Sequence, residues 1–467
     1  MLQNDNEQKR NLKRQPLTVI ELFTGIGAQK RGIDLTGLFD CNVIATADVE
    51  KDAMVSYAAI HNGLTDEVID TYTDYPSEDE MKKELMCKNI GYDFQKNTNP
   101  VIKMKGRKLK KYYMAMKLSN NLGDITKIYK LPQADLWTYS FPCQDISIAG
   151  NQKGIIKGKT RSGLLYEVER LLKVSKQEST LPKYLLLENV KNLVGKQFKT
   201  QFDEWVTWLD ELGYNTYWEV INAKNCGVPQ NRERVFALSI RKDVDANSFT
   251  FAKPFDLGVR LLDYIDNEVD EQFYITNEKV QKFLETIDID TIVANYISRE
   301  DNTHNVMQIG NIIENHGNWD NPQRGRIYNS NGISPALNTC GGGGLEPKIM
   351  CSINPEKDGT CRTIKAQYGK TSLANYYRTG SMGATGITNG VGVRKLTPKE
   401  CFRLMGFADL DYDHVVSLGM SYSACYRQTG NSIVTYCISG IMEHLYKAQY
   451  DNTYTCFDEN FTQPQVE

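Results

Sequence analysis

The first sixty positions repeat one hydropathic pattern twice. LTVIELF (17–23) is a short apolar, β-branched run, and TGIGAQKRGI (24–33) is a glycine turn that opens a helix. NVIATADVE (42–50) is a second strand ending in acids, and KDAMVSYAAI (51–60) a second helix. Strand alternating with helix signals a parallel α/β sheet. Further strands are predicted at ADLWTYSF (134–141), KYLLLENV (183–190), NTYWEVINA (215–223) and RVFALSI (234–240). Helical stretches such as GLLYEVERLLKVSK (163–176) and FDEWVTWLDEL (202–212) separate several of them. The pattern predicts a doubly wound, mostly parallel domain over 17–245, with ligands at the carboxyl ends of its strands.

Two regions interrupt this rhythm. Residues 64–122 run from acidic DEVIDTYTDYPSEDE to basic KMKGRKLKKYY, where Lys103, Lys105, Arg107, Lys108, Lys110 and Lys111 crowd together. A solvated insertion and a phosphate-contacting arm both fit that charge run. From about 246 to 392 the alternation is lost and glycine, asparagine and turn residues dominate, as in NGISPALNTCGGGGLEPKI. A second, smaller and irregular domain is expected over 246–410. Helical patterns resume with TPKECFRLMGF and NSIVTYCISGIMEHLYKAQ, so 411–450 should return to the first domain. The ends, 1–16 and 451–467, read as a polar arm and a tail.

Composition narrows the class. The chain has 467 residues, 40% hydrophobic and 24% charged, with a formal net charge of −3, so no global field advertises a polyanionic partner and any basic surface is local. Eleven cysteines without CxxC pairs argue for reduced thiols in a cytoplasm, and five histidines argue against a His-rich metal centre. No apolar run is long enough to span a membrane, and the polar amino terminus lacks a signal-peptide core.

Chemistry gathers at strand ends. Phe23, Gly25 and Gly27 in FTGIG form a turn that lets a cofactor approach the backbone, but Lys30 stands where a third glycine of a dinucleotide fingerprint would be. Asp48 and Asp124 are acids suited to a nucleotide-like ligand. Cys143 follows Pro142 at the end of an apolar strand, before the polar Gln144. Its thiol needs a lowered pKa to react, and Arg232 and Arg234 are the cations on offer. Glu188 and Asn189 close another buried run, where a carboxylate is costly without a partner or a task. Cysteine, glutamate and arginine at one sheet edge suit nucleophilic attack on an electron-poor ring.

In order, FTGIG, PCQ, ENV, QNRER, RKLTPKECFRLMGF and QTGNSIV resemble the motifs of the cytosine-5 DNA methyltransferases of bacteria and phages. The resemblance covers nearly the whole chain. It implies a Rossmann-like S-adenosylmethionine-dependent methyltransferase domain, no metal, and a target-recognition domain over 246–410. Cys143 would attack C6 of a flipped-out cytosine in double-stranded DNA, Glu188 would hold and protonate N3, and Asn189 would support the loop, with Gln144 counted among the catalytic residues. Arg232 would sit against the base, with Gln230 and Arg234 organising that turn. The cofactor would rest on Phe23, Gly25 and Gly27, with its ribose facing Asp48, its adenine facing Val49 and Ile125, and its exocyclic amine facing Asp124. Pro142, Leu164 and Asn431 would complete the pocket. Gln230, Thr363, Ile364 and Arg394 would face DNA. Relatives carry a tryptophan where this chain has Val49, which leaves adenine stacking weaker or supplied elsewhere.

The family also implies cytoplasmic, nucleoid-associated action as a monomer, with a cognate restriction endonuclease as a candidate partner. Three other readings compete. A transfer-RNA methyltransferase would carry Cys-Phe-Thr soon after the glutamate motif, and ENVKNLVGKQFKT has none. A non-catalytic DNA-binding relative would have lost the cysteine, the glutamate or the cofactor glycines, and all are present. A nicotinamide oxidoreductase leaves Pro-Cys-Gln unexplained.

Overall fold

The computed structural model describes residues 13–143, 145–146, 154–156, 158–254, 256–267, 269–286, 305–313, 321–339, 345–353, 390–451 and 454. Gln144, Thr363 and Ile364 lie outside the described residues.

Strand β1 (Gln15–Leu22) leads through a tight loop into α1 (Ala28–Thr36), β2 (Phe39–Ala47) and α2 (Lys51–His61). The first strand begins inside the expected arm, because the Gln15 N–H donates to Leu38 O and Pro16 pairs with Asp40. After the insertion come β3 (Leu136–Tyr139), α6 (Leu165–Gln177), β4 (Tyr184–Val190), α7 (Lys199–Leu212) and β5 (Tyr214–Asn222). The two-residue β6 (Gln230–Asn231) precedes β7 (Glu233–Arg241). The sheet order is β2-β1-β3-β4-β7-β5. Its first four strands are parallel to their neighbours, and β7 runs antiparallel between β4 and β5.

Every predicted strand of this sheet forms, for a reason visible in the side chains. Tyr184 and Leu186 enter one buried cluster while Leu185 and Leu187 enter the other, and Phe236 and Leu238 alternate likewise with Val235 and Ala237. A strand buried on both faces must be apolar throughout, which makes it readable as a continuous run. Helices α6 and α7 cover one face with Val168, Leu172, Phe202 and Trp205. Helices α1 and α2 cover the other, with Ile33 and Val55.

The insertion is folded and helical: α3 (Asp66–Thr71), α4 (Glu78–Cys87) and α5 (Gly106–Leu118). Thr65 caps α3, and Ser77 with Glu80 forms a capping box on α4. Leu109, Tyr112, Tyr113 and Met116 put a buried stripe on α5, inside the same cluster as the α1 face. Its charges are largely spent at home. Arg107 bonds Asp66 and Asp70, Lys110 lies 4.6 Å over the Tyr75 ring, and Lys111 donates to Leu418 O. Lys103, Lys105 and Lys108 are exposed.

The smaller second unit holds α8 (Glu278–Glu285) and the strands β8 (Gln308–Asn311), β9 (Arg326–Asn329), β10 (Ser334–Pro335), β11 (Lys348–Ile353) and β12 (Gly390–Lys395). Four of these make a sheet of order β12-β11-β9-β8 around Ile327, Met350 and Val393, while β10 pairs with β6 of the first unit. The chain then runs through α9 (Pro398–Leu404), α10 (Asp409–Ser417), α11 (Tyr422–Asn431) and α12 (Thr435–Tyr450). Phe402, Leu404, Val415, Ile438 and Ile441 join the main core, so the helices from α9 onward pack with the first unit.

Candidate active site

The carboxyl edge of the sheet gathers the reactive groups. β1 ends in a loop with Phe23, Gly25 and Gly27 all at positive φ (59, 56 and 81). A Cβ on Gly27 would stand 2.3 Å from His61 Nε2 and 2.6 Å from the Tyr57 ring, so only glycine lets α1 begin against α2. The loop is tied to the neighbouring strand: the Phe23 N–H donates to Ala47 O at 2.8 Å, and the Gly25 N–H to Asp48 Oδ2 at 2.8 Å. Asp48 Oδ1 accepts from the Glu50 N–H, also at 2.8 Å. Beyond β2, Val49 is half-buried, and Asp124 and Ile125 are buried. Asp124 caps the short helical turn it precedes, accepting from Thr126 N and Oγ1.

β3 delivers Phe141, Pro142 and Cys143 to the same edge. Three side chains staple this turn: Asn189 Nδ2 donates to Phe141 O (3.0 Å), Ser162 Oγ to Pro142 O (2.7 Å) and Asn192 Nδ2 to Ile146 O (2.6 Å). Asp145 Oδ2 accepts from the Arg161 and Ser162 N–H groups, which ties the start of the turn that carries Leu164 to this loop. Ser162, Asn192 and Asp145 brace the loop that carries Cys143, and the sequence assigned them no such part. Only the polarity after Cys143 hinted at them.

Glu188 is buried at the end of β4, and Arg234 Nε lies 3.2 Å from its Oε1. β7 supplies Arg234 opposite Val190 in the antiparallel register. Burial raises the Glu188 pKa above the usual carboxylate range, against the pull of Arg234, Arg232 and the Ser140 hydroxyl. Burial also raises the Cys143 thiol, and the Glu188 carboxylate adds to it, while Arg234 and Arg232 oppose. The expectation that nearby arginines lower this thiol is therefore corrected: both are there, and desolvation outweighs them.

Three further assignments need correction. Arg232 was expected against the base and the catalytic groups, with Arg234 organising the strand entry; it is Arg234 that pairs with Glu188, while the Arg232 guanidinium is taken up by backbone carbonyls. Arg232 is 3% exposed, and its guanidinium donates to Leu337 O (2.8 Å), Gly430 O (2.9 Å) and Ser432 O (2.7 Å). In an unbroken strand the two would share a face. Here the strand breaks at Arg232, whose N–H folds back to Gln230 O, and the two side chains part company. Gln230, expected at DNA, is fully buried; its Nε2 donates to Leu404 O and its Oε1 accepts from the Leu337 N–H. Arg394, also expected at DNA, is 1% exposed and holds both oxygens of Glu400 at 2.7 and 2.8 Å. That pair locks β12 to α9, so the charge is consumed inside the protein. Asn431 is exposed between the two residues whose carbonyls receive Arg232.

A thiol, a buried carboxyl and its arginine thus gather at the sheet edge that also carries the glycine loop and two acids. The model of the C-5 cytosine-specific DNA methylases matches residues 87–447. The chain belongs to that family. The type II methyltransferase M2.ScrFI of Lactococcus lactis subsp. cremoris is 32% identical to this methylase over 93% of the chain and all of its own length. The orphan methyltransferase M.SssI of Spiroplasma monobiae is 40% identical over 49% of this chain and 60% of its own. M.HhaI, a type II methyltransferase of Haemophilus parahaemolyticus, is 29% identical over 67% of this chain and 76% of its own. The α/β architecture with its mostly parallel sheet is the Rossmann-like methyltransferase fold, and the methylase is an enzyme that methylates cytosine in DNA.

Proposed function

We propose that this methylase modifies C5 of a cytosine flipped out of double-stranded DNA, through a covalent bond between Cys143 Sγ and C6. The observation that carries the reading is the Cys143, Glu188 and Arg234 group at one sheet edge, with Glu188 held by Arg234 at 3.2 Å and both acids raised by burial. A base stacked in a duplex is beyond the reach of such a recessed thiol, so it must leave the helix. Cys143 adds to C6 as the thiolate while Glu188, which burial keeps protonated to higher pH, gives its proton to N3. Electron density then rises at C5. Once C5 carries the methyl group, its proton passes to solvent water, Cys143 leaves C6 as the thiolate and N3 returns its proton to Glu188, which restores the ring and both side chains. Arg234 steadies the Glu188 carboxylate once its proton is gone.

The residues fit S-adenosylmethionine. Gly25 is left-handed, with no atom within 4 Å of where a Cβ would stand, so the loop offers open backbone. Asp48 and Asp124 give acceptors for ribose hydroxyls and an exocyclic amine. When bound, this cofactor supplies the electrophilic methyl carbon for C5. The Phe23–Gly27 loop, Val49, Ile125, Pro142, Leu164 and Asn431 would surround it. The unit built on β8 to β12, with the stretch containing Thr363 and Ile364, would face DNA and choose the target. The methylase would act as a monomer in the cytoplasm; a cognate endonuclease is the partner consistent with relatives named type II.

The test is transfer of tritiated methyl from S-adenosylmethionine to mixed genomic DNA and to transfer RNA, with Cys143→Ser alongside. DNA labelling that vanishes in the variant is expected, together with a denaturant-stable adduct between the wild type and DNA containing 5-fluorocytosine. Labelling of RNA alone, or a Cys143→Ser protein that still transfers methyl, would overturn the reading.

A further inference from the structure

The insertion between Asp48 and Asp124 meets the sheet edge at its closing end, where Asn120 and Leu122 bond Thr46, and again at the turn Lys88–Tyr92 that follows α4. There it meets two of the three residues expected around the cofactor's adenine and the glycine beside one of them. The Gly91 N–H donates to Val49 O at 2.7 Å, and the Asp124 N–H donates to Lys88 O at 2.9 Å. Gly123 lies so close that a Cβ on it would stand 2.2 Å from Lys88 O. Lys88 Nζ donates to Asn121 O at 2.8 Å, and Asn121 bonds the backbone of Asp48 in both directions. The turn is thus built into the wall of the pocket and is no surface appendage.

Asn89 is the side chain that reaches furthest. Its Nδ2 donates to Asp124 Oδ2 at 2.7 Å, and its Oδ1 accepts from Lys127 Nζ at 2.8 Å. An ammonium only donates, so Lys127 fixes which end of the amide is oxygen and leaves the NH₂ facing Asp124. On Asp124, Oδ1 already accepts two bonds from Thr126, whereas Oδ2 has one, from Asn89. A carboxylate oxygen offers about two acceptor directions. The direction left open on Asp124 is therefore on Oδ2, beside Asn89.

We infer that Asn89 is a positioning residue for cofactor recognition: it aims Asp124 Oδ2 at the exocyclic amine of adenine, and the Lys88–Tyr92 turn forms the adenine-side wall next to Val49. This rests on the S-adenosylmethionine reading above. It gives the long insertion a task and supplies, from another segment, a contact region that the small Val49 side chain does not.

The experiment is calorimetric titration of the full chain with S-adenosylhomocysteine and with S-inosylhomocysteine, whose 6-oxo group replaces the amine. The main variant is Asn89→Gly, since Asn89 sits at φ 55, where glycine is at ease and most residues are strained. Asn89→Asp is the second, setting a carboxylate against Asp124. The wild type is expected to prefer the adenine ligand by about tenfold or more, the worth of one well-made hydrogen bond. In Asn89→Gly the preference should shrink towards parity with an unchanged ligand-free melting temperature, and Asn89→Asp should bind the adenine ligand more weakly still. Retention of the wild-type preference in Asn89→Gly would overturn the inference while leaving the cofactor reading intact. So would equal weakening for both ligands, the mark of a merely structural residue. A wild type that binds neither ligand would remove the cofactor reading and this inference with it.

Discussion

Arg232 and Arg234 stand two residues apart and are predicted to fail in opposite ways when each is changed to glutamine. Arg234 faces Glu188 at 3.2 Å, with the side chains 20% and 10% exposed. Unit charges about 4 Å apart at an effective dielectric of 20 attract by roughly 4 kcal/mol, part of which desolvation offsets. Removing that cation leaves Glu188 free to hold its proton more tightly, so it accommodates the loss by protonation and the fold loses only ~1 kcal/mol. Chemistry suffers, because the carboxylate formed after proton transfer is unsupported; a loss of ~2–4 kcal/mol predicts a rate lower by roughly 30- to 1,000-fold. Arg232 makes three charged hydrogen bonds to buried carbonyls, at 2.7 to 2.9 Å. Such bonds contribute about 1.5–3 kcal/mol each, and glutamine can recover one, so a loss of about 3–5 kcal/mol is expected, on the order of 10 °C in melting temperature. Thermal melts paired with single-turnover transfer of tritiated methyl separate the two effects. Early melting of Arg234→Gln, with Arg232→Gln stable but slow, would refute the assignment.

Three other outcomes follow from the same geometry. Arg394→Leu should cost about 3–5 kcal/mol in urea unfolding by stranding buried Glu400, and Arg394→Leu with Glu400→Leu should recover most of it; a neutral single variant would sink the idea. Because burial and Glu188 raise the Cys143 thiol, its reactive thiolate appears late, and iodoacetamide labelling should keep rising past pH 9; a plateau by pH 8 would contradict this. Replacing Lys103, Lys105 and Lys108 by glutamine should leave the salt dependence of DNA binding unchanged. Their neighbours in the run are already engaged, Arg107 by Asp66 and Asp70 and Lys110 by the Tyr75 ring, so the cluster offers no concerted basic surface to a backbone of phosphates.

The strands and reactive tripeptides were legible because each is contiguous. YLLLENV is apolar until the residue where the sheet ends, and Glu188 marks that place by being costly anywhere else. The insertion was harder to read. Leu109, Tyr112, Tyr113 and Met116 follow helical spacing, but the lysines among them drew the reading toward a solvated arm. The acids that absorb Arg107 lie 37 and 41 residues earlier, and no local pattern reports such a pairing. Gln230 and Arg394 failed for the same reason. A polar residue in a family motif suggests contact with substrate, and whether it is instead consumed by a buried partner depends on segments distant in the chain.

The partners of Gln230 and Arg232 carry a wider consequence. Gln230 bonds Leu337 N and Leu404 O, and Arg232 bonds Leu337 O, Gly430 O and Ser432 O. All of these are backbone groups, and among the described residues the Met405 sulfur is the one side chain that also receives Gln230 Nε2. Gly430 adds a steric version of the same device, since a Cβ there would meet Asn338 O at 2.1 Å. The segment that leads out of β10 is therefore seated on the catalytic unit by its main chain as well as by the buried Leu337 side chain. On the proposed reading, in which this unit chooses the DNA target, its other side chains can change without breaking the bonds that Gln230 and Arg232 make to the main chain of Leu337. The cost falls on the catalytic unit, where two long polar side chains and one glycine have no freedom to vary.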